Sequence, residues 1–276
     1  MSIDLETEYN NRARVPEHPA IIAAWARDAE AYRRDMGQRL TRLTYGPSER
    51  QFLDIFAPEK ALPDAAPVLF IHGGYWQSLA PDSFSHMAKG LNAHGISMAV
   101  AGYDLCPNVS FGAIIEQIIA AAQALHKKAG RPIVACGHSA GGHLAACLAA
   151  TDWPDIDSTL PEHMVRAGLA ISGLFELEPL VPTSVNHKLG LDIAAARSFS
   201  PRLWEPPNGI RFDAWVGGAE SPEYLRQSAS ISAVWKASGN DTHYHEVAGA
   251  NHFTVINGLA RKDDPLTLRL VELAKA

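Results

Sequence analysis

The chain has 276 residues, of which 47% are hydrophobic and 20% charged, and its 24 basic and 30 acidic side chains give a formal charge of −6. This length is sufficient for one α/β domain or two small ones. The 18 prolines and 21 glycines are too few for a low-complexity chain. The acidic balance disfavours a nucleic-acid-binding protein, which needs a basic face, so we expect no nucleic-acid partner.

Three cysteines, Cys106, Cys136 and Cys147, are too few for a disulfide scaffold and cannot all pair within one chain. The opening residues MSIDLETEYNN lack the basic, apolar and cleavage regions of a secretory signal. The apolar segment Phe111–Leu125 is too short to cross a bilayer. These features predict a cytoplasmic protein without a membrane partner.

Residues 1–39 predict a helical arm, because Ile22, Trp25 and Ala29 recur at helical spacing among charged residues. Short apolar or β-branched runs follow and alternate with longer helical segments. The candidate strands are Leu40–Tyr45, Gln51–Phe56, Val68–His72, Ser97–Tyr103, Pro132–Cys136, Ala167–Ser172, Arg211–Val216 and His243–Val247. The candidate helices are Asp82–His94, Phe111–Ala129, Ala140–Thr151, Pro222–Ala237, Phe253–Ala260 and Pro265–Ala274.

The order of these elements predicts an α/β fold. The first two strands alternate in polarity around the turn residues 46–48, as a hairpin does. From the third strand on, alternating strands and helices predict a mostly parallel sheet of about eight strands with helices on both faces. No composition break divides residues 1–276, so we expect a single domain. Residues 175–208, rich in Pro, Thr, Ser and Asn, are either a short lid-like insertion or a solvated connector.

A G-x-S-x-G motif runs from Gly137 to Gly141 with Ser139 at its centre. It follows an apolar run and precedes a helical segment, which is the strand-turn-helix context of a nucleophile elbow. Such a turn is so sharp that a Cβ beside the serine would clash, and glycine avoids this. The motif predicts Ser139 as a nucleophile, and the alternative is a Gly-Ser turn without chemistry.

A serine hydroxyl is a poor nucleophile at neutral pH and needs a neighbouring base. Of the 12 histidines, His252 follows the eighth strand and precedes a helix, where hydrolases with such an elbow place their base. His243 and His245 alternate as a metal pair would, but no third ligand stands at a recognisable spacing. We therefore expect His252 as the base, the other two on a strand face, and no metal site.

The acid that orients this base is predicted between Ser139 and His252, in the loop that leaves the seventh strand. Glu220 lies there, four residues after Val216. Asp213, inside the seventh strand, and Asp241, at the far end of the next helix, remain alternatives. Glu220 is the preferred prediction because of its place in the loop.

The run His72-Gly73-Gly74-Tyr75-Trp76 follows the third strand. Consecutive glycines let backbone N–H groups approach a substrate oxygen, so Gly73 and Gly74, with the amide of Ala140, are predicted to form an oxyanion hole. A plain β-turn is the alternative. Candidates for the substrate pocket are Tyr75, Trp76, His138 and Phe175, although Trp76 is equally suited to packing at the edge of the sheet.

The chain resembles the kynurenine formamidase (arylformamidase) and carboxylesterase branch of the α/β-hydrolase superfamily. The resemblance is carried in order by the runs 72–76 (HGGYW), 137–144 (GHSAGGHL), 172–180 (SGLFELEPL) and 220–223 (ESPE), with similar runs at 9–12 and 183–186. It assigns the nucleophile to Ser139, the base to His252 and the oxyanion donors to residues 72–76. Animal members carry aspartate where this chain has Glu220, which is a departure from the pattern.

The resemblance implies hydrolysis of an aryl formamide such as N-formylkynurenine to formate and an arylamine, without a metal or organic cofactor. The leading hypothesis is a serine hydrolase that cleaves a small ester or aryl formamide through an acyl- or formyl-enzyme. Alternatives are a general carboxylesterase, a thioesterase or amidase, and a non-catalytic ligand-binding protein on the same fold. A homodimer is compatible with the sequence.

Overall fold

A sheet of eight strands forms the centre of the molecule in the computed structural model, which describes residues 3–276. The strands are β1 (Leu40–Thr44), β2 (Phe52–Phe56), β3 (Val68–Ile71), β4 (Met98–Ala101), β5 (Ile133–His138), β6 (Val165–Ile171), β7 (Arg211–Gly217) and β8 (Asp241–Val247). Their spatial order is β1-β2-β4-β3-β5-β6-β7-β8. The pairs β1–β2 and β2–β4 are antiparallel, and all other neighbours are parallel. The predicted eight-stranded, mostly parallel α/β fold is confirmed.

Eleven α-helices accompany these strands in the described residues. They are α1 (Leu5–Tyr9), α2 (Asn11–Arg14), α3 (His18–Met36), α4 (Ala88–Ala93), α5 (Phe111–Ala129), α6 (Ala140–Ala149), α7 (Trp153–Ile156), α8 (Asn186–Leu189), α9 (Ile193–Ser198), α10 (Pro222–Ala237) and α11 (Pro265–Lys275). The helix predicted over 82–94 is a 3-10 helix, Pro81–Met87, followed by α4, and the helix predicted over 253–260 is a 3-10 helix, Val255–Ala260. None of these helices is both long and apolar enough to span a membrane.

Helices cover both faces of the sheet. Strand β3 shows this, because its successive side chains point to opposite faces. Leu69 and Ile71 belong to a buried cluster that includes Ile114 of α5. Val68 and Phe70 belong to a second buried cluster, which includes α3, α4 and α11. Burial on both faces explains why the strand reads as a continuous apolar run.

The predicted helical arm is divided into three helices. Asn10 ends α1 and caps α2, since its side-chain oxygen accepts a hydrogen bond from the amide of Ala13. The break before α3 occurs at Val15, whose helical conformation is disfavoured by the proline that follows. Helix α3 packs on the sheet domain through Trp25, which is 3% exposed. The arm thus lies on the sheet domain, and its first two helices reach the carboxyl edge of the sheet.

The parallel strands all end at that edge. The nucleophile candidate Ser139 directly follows β5, while Glu220 and His252 lie in the loops after β7 and β8. The Gly-Gly run follows β3. Open α/β sheets bind ligands at this edge, so the topology brings the predicted site residues together.

Candidate active site

Ser139 lies on a strained turn between β5 and α6, with a φ of 57°. Its amide donates to the carbonyl of Ile171 at 2.8 Å, which fixes the turn to β6. A Cβ on Gly137 would lie 2.0 Å from the Gly141 carbonyl oxygen, and one on Gly141 would lie 1.9 Å from that of Ile71. Glycine is therefore required on both sides of the serine, as an elbow demands.

Ser139, His252 and Glu220 form a continuous hydrogen-bonded series. The Nδ1 atom of His252 lies 2.6 Å from Glu220 Oε2, and its Nε2 lies 3.0 Å from Ser139 Oγ. Since a carboxylate only accepts, Nδ1 carries the proton and Nε2 offers its lone pair to the serine hydroxyl. All three side chains are buried. This arrangement activates a serine for attack on a carbonyl.

Glu220, rather than either aspartate alternative, contacts the base. Its Oε1 accepts hydrogen bonds from the hydroxyl of Ser172 and from the amide of Gly217, the latter at 2.8 Å. Asp213 instead forms a salt bridge with Arg269 at 2.5 Å. Asp241 does not end a helix, as the sequence suggested, but begins β8, on an exposed position. Neither aspartate side chain is hydrogen-bonded to His252.

The loop after β3 presents unpaired backbone amides beside the nucleophile. Among the described residues, no acceptor bonds the amides of Gly73, Gly74 or Ala140. Gly73 approaches the elbow so closely that a Cβ there would lie 3.0 Å from the Cβ of Ser139. Gly74 has a φ of 115°, and a Cβ on it would lie 2.2 Å from the Ser78 carbonyl oxygen. The three amides have the properties of an oxyanion hole.

His138, the second residue of the elbow, supports the base. Its Nε2 donates to the backbone carbonyl of His252 at 2.8 Å. Burial holds the pKa of its imidazole well below the usual range, so this histidine stays neutral. His138 and Tyr75 both line the cavity that contains Ser139 and His252.

A cavity of about 290 Å³ opens at Ser139 and His252. Much of its wall comes from the N-terminal arm, through Glu6, Tyr9, Asn10, Asn11, Arg12, Ile22 and Trp25. The insertion after β6 adds Ser184, Val185 and Lys188. Substrate entering this cavity would contact both segments.

Two pocket predictions are corrected by the structure. Trp76 is fully buried and packs against Phe111, with ring centroids 4.8 Å apart, and against His143 at 5.1 Å. Phe175 is fully buried against Phe212 at 6.1 Å. Neither lines the cavity. Tyr75 and Trp76 both have positive φ angles, 52° and 56°.

A chain of buried hydroxyls joins the arm to the site. The Tyr75 hydroxyl lies 2.5 Å from the Tyr9 carbonyl oxygen and 2.7 Å from the Tyr224 hydroxyl, which lies 2.8 Å from Asn11 Nδ2. These contacts are three hydrogen bonds, but the two tyrosine hydroxyls supply only two protons. The side-chain amide of Asn11 must therefore donate the third bond. The direction therefore runs from Asn11 to Tyr224, to Tyr75 and to the Tyr9 carbonyl.

This chain of hydroxyls contacts His252, the predicted base. The rings of Tyr224 and His252 have centroids 4.8 Å apart. Burial raises the pKa of the Tyr224 hydroxyl, which keeps it protonated as a donor. The sequence reasoning missed Ser172, Tyr224 and Asn11 as site residues. Ser172 directly follows a parallel strand beside the nucleophile strand, and that signal was available in the sequence.

No group of three potential ligands in residues 3–276 has the geometry to hold a metal ion. His243 lies 3.2 Å from Asp241 on the exposed start of β8. The ring of His245 packs against Trp215 with centroids 4.0 Å apart. Both histidines therefore make ordinary side-chain contacts within the sheet.

Known proteins match most of this chain. The BD-FAE family model matches residues 53–173. Kynurenine formamidase of Danio rerio is 28% identical over 249 residues, covering 87% of this chain and 83% of the relative. Kynurenine formamidase of Salmo salar is 30% identical over 250 residues, with the same coverage.

Solved structures agree with this relationship. A crystal structure of a putative thioesterase from a Silicibacter species has a TM-score of 0.84 and 33% identity over the full length of both chains. An esterase of Pyrobaculum calidifontis has a TM-score of 0.72 and 16% identity over 94% of each chain, which shows the fold alone. Together with the identity to the Salmo salar protein over most of both chains, these matches establish that the chain belongs to the kynurenine formamidase family of the α/β-hydrolases and is a serine-hydrolase-type formamidase or esterase.

Proposed function

We propose that the protein is an arylformamidase that hydrolyses N-formylkynurenine, or a closely related aryl formamide, to formate and the free aromatic amine. The observation that carries this proposal is the buried series Ser139, His252 and Glu220, which opens on a cavity walled in part by aromatic side chains. Relatives matching 87% of the chain are named kynurenine formamidase.

In the first half of the proposed reaction, Ser139 Oγ attacks the formyl carbon while His252 Nε2 accepts the hydroxyl proton. The amides of Gly73, Gly74 and Ala140 stabilise the developing oxyanion, and each such donor contributes about 3 kcal/mol to the transition state. Glu220 stabilises the imidazolium through Nδ1. When the tetrahedral intermediate collapses, His252 protonates the aryl nitrogen and the amine leaves.

In the second half, water attacks the formyl ester of Ser139. The same imidazole accepts a proton from the water and returns one to Ser139 Oγ as formate leaves. His138 keeps the base in place through the carbonyl of His252. Because its own imidazole is neutral, it adds no charge that would compete with the imidazolium.

Hydrolysis of a small carboxylic ester or thioester is the second candidate function. The same hydrogen-bonded series attacks any accessible acyl carbon, and esters have better leaving groups than formamides. A carboxylesterase/phospholipase of Mycobacterium tuberculosis is 36% identical over 85 residues, which is 30% of this chain. The full-length structural relative is described as a putative thioesterase.

The two candidates are separated by comparing kcat/KM for N-formylkynurenine, phenyl acetate and a short acyl thioester, with Ser139→Ala as the blank. We expect N-formylkynurenine to have the highest kcat/KM. Turnover of N-formylkynurenine no faster than the blank, combined with cleavage of the acetate or the thioester, would overturn the formamidase assignment.

We also propose that the enzyme works in the cytoplasm. Its cysteines, Cys106, Cys136 and Cys147, are all free and buried, and burial raises the pKa of each thiol. A reducing compartment preserves such thiols. Fractionation of the source cells tests this, and recovery of the enzyme outside the cytoplasmic fraction would contradict it.

A further inference from the structure

Two cationic side chains on the wall of the catalytic cavity have no partner in residues 3–276. Arg12 belongs to α2 of the arm, and Lys188 belongs to α8 of the insertion. Neighbouring arginines are paired: Arg14 lies 3.5 Å from Glu8, and Arg197 lies 2.6 Å from Glu178. Arg12 and Lys188 are thus distinguished from nearby surface cations by both their position and their lack of an acidic partner.

The segments that carry these two cations are attached to each other. The carboxylate of Glu6, in α1, accepts hydrogen bonds from the Ser184 amide at 2.8 Å and from its hydroxyl at 2.6 Å. These bonds lower the pKa of Glu6, which is therefore ionised. Among the described lining residues, Glu6 is the one acid, and both its oxygens are engaged. The available charge on the wall is positive.

We propose that Arg12 and Lys188 bind a carboxylate of the substrate while its acyl group lies at Ser139. This inference rests on the proposed function for the identity of the acyl group, and it assigns recognition of the substrate's carboxylate to these two side chains. Arginine matches a carboxylate with two parallel hydrogen bonds, and lysine adds a point charge. Both groups reach the ligand from different segments, so its binding also bridges the arm and the insertion.

The first test compares N-formylkynurenine with its α-carboxamide, in which a neutral amide of nearly the same shape replaces the carboxylate. We expect the native enzyme to prefer the carboxylate by about tenfold in kcat/KM, because a charge-assisted hydrogen bond at an exposed site contributes near the lower end of its range. Arg12→Gln and Lys188→Gln each lower this ratio, mainly by raising KM for the carboxylate. The matched control, Arg14→Gln in the same helix, keeps the native ratio.

The second test uses esters, so that it does not depend on formamide hydrolysis. The acetate ester of para-hydroxybenzoate is compared by kcat/KM with the acetate ester of para-hydroxybenzamide in the same four proteins. A preference for the carboxylate in either pair, abolished by Arg12→Gln or Lys188→Gln, supports the site. If this occurs only with the esters, and neither formamide is hydrolysed, the formamidase assignment alone fails. Equal rates within both pairs, or ratios that the two variants leave unchanged, would overturn the carboxylate site.

Discussion

The catalytic edge of the sheet and the cavity wall are built in different ways. At the edge, Ser139, Glu220 and His252 each follow a strand of one sheet, and Ser139 lies between two glycines that have no room for a Cβ. Much of the wall comes from residues 6–25 and 184–188, two segments outside the sheet that are joined by side-chain hydrogen bonds. The difference indicates that chemistry depends on the strand ends, whereas substrate selection depends on polar contacts between distant segments.

Removal of the nucleophile gives the largest expected effect at the edge. Ser139→Ala should lower kcat on the order of 10⁶-fold, because the nucleophile, the base and the acid act as a unit. His252→Ala should match it. Single-turnover and steady-state rates measure the loss, and an unchanged thermal unfolding curve shows that the fold survives. Activity retained within a hundredfold of the native enzyme would place the nucleophile elsewhere.

The identity of the acid is tested by neutralising Glu220, in the loop after β7, and Asp213, within β7, in separate variants. Glu220→Gln should lower kcat by about 10⁴-fold, since the imidazole loses the partner that fixes its tautomer and stabilises its cation. The matched change Asp213→Asn should leave kcat close to native, while loss of the Arg269 pair lowers the unfolding temperature. The reverse pattern would transfer the acid role to Asp213.

Gly74→Ala tests the oxyanion loop. The added Cβ would lie 2.2 Å from the Ser78 carbonyl oxygen, and the residue would have to keep a φ of 115°. The loop must shift, and a misplaced oxyanion donor costs roughly 10²- to 10³-fold in kcat. KM should change much less. Gly130→Ala, at a positive φ but with open space around it, serves as the control for backbone strain.

Tyr75→Phe tests the cavity wall, and its expected effect is the smallest. Losing this hydroxyl leaves the Tyr9 carbonyl and the Tyr224 hydroxyl each short of one partner, which loosens the arm. We expect KM to rise by about tenfold with kcat little changed, given the usual cost of an unmade buried hydrogen bond. Tyr45→Phe removes a comparable bond, to the Gly102 carbonyl, away from the cavity, and should leave KM unchanged. Equal KM values for the two variants would contradict the inference that the hydrogen bonds of Tyr75 hold the arm in place for substrate binding.

Local patterns in the sequence were sufficient to predict which residues lie together at the carboxyl edge of the sheet. The elbow around Ser139 combines a strand, required glycines and a helix within a few residues, so one pattern specifies both conformation and role. Glu220 was harder to assign, because Asp213 and Asp241 were also candidates for the acid between the nucleophile and the base. The sheet decides between them, since Asp213 points to the helix that carries Arg269.

The wall was not predictable in the same way. Trp76 lies in a loop where two non-glycine residues have positive φ angles, and no residue type in that loop predicts such a backbone. Residues 1–39 had the periodicity of helices, but nothing in them specified Tyr224 or Ser184 as partners. These contacts join residues roughly two hundred positions apart, and a single sequence does not encode such pairs as a local pattern.

The hydroxyl of Tyr9 has a consequence for how the molecule is assembled. It donates to Glu223 at 2.7 Å and accepts from Gln227 at 2.6 Å, partners that lie 214 and 218 positions further along the chain. Contacts of such long separation form late in folding, because a large loop must close before they add stability. During synthesis, these two partners of the Tyr9 hydroxyl do not exist until α10 has been translated, long after the arm. The arm can therefore make all of its contacts at the substrate cavity only after α10 has been synthesised.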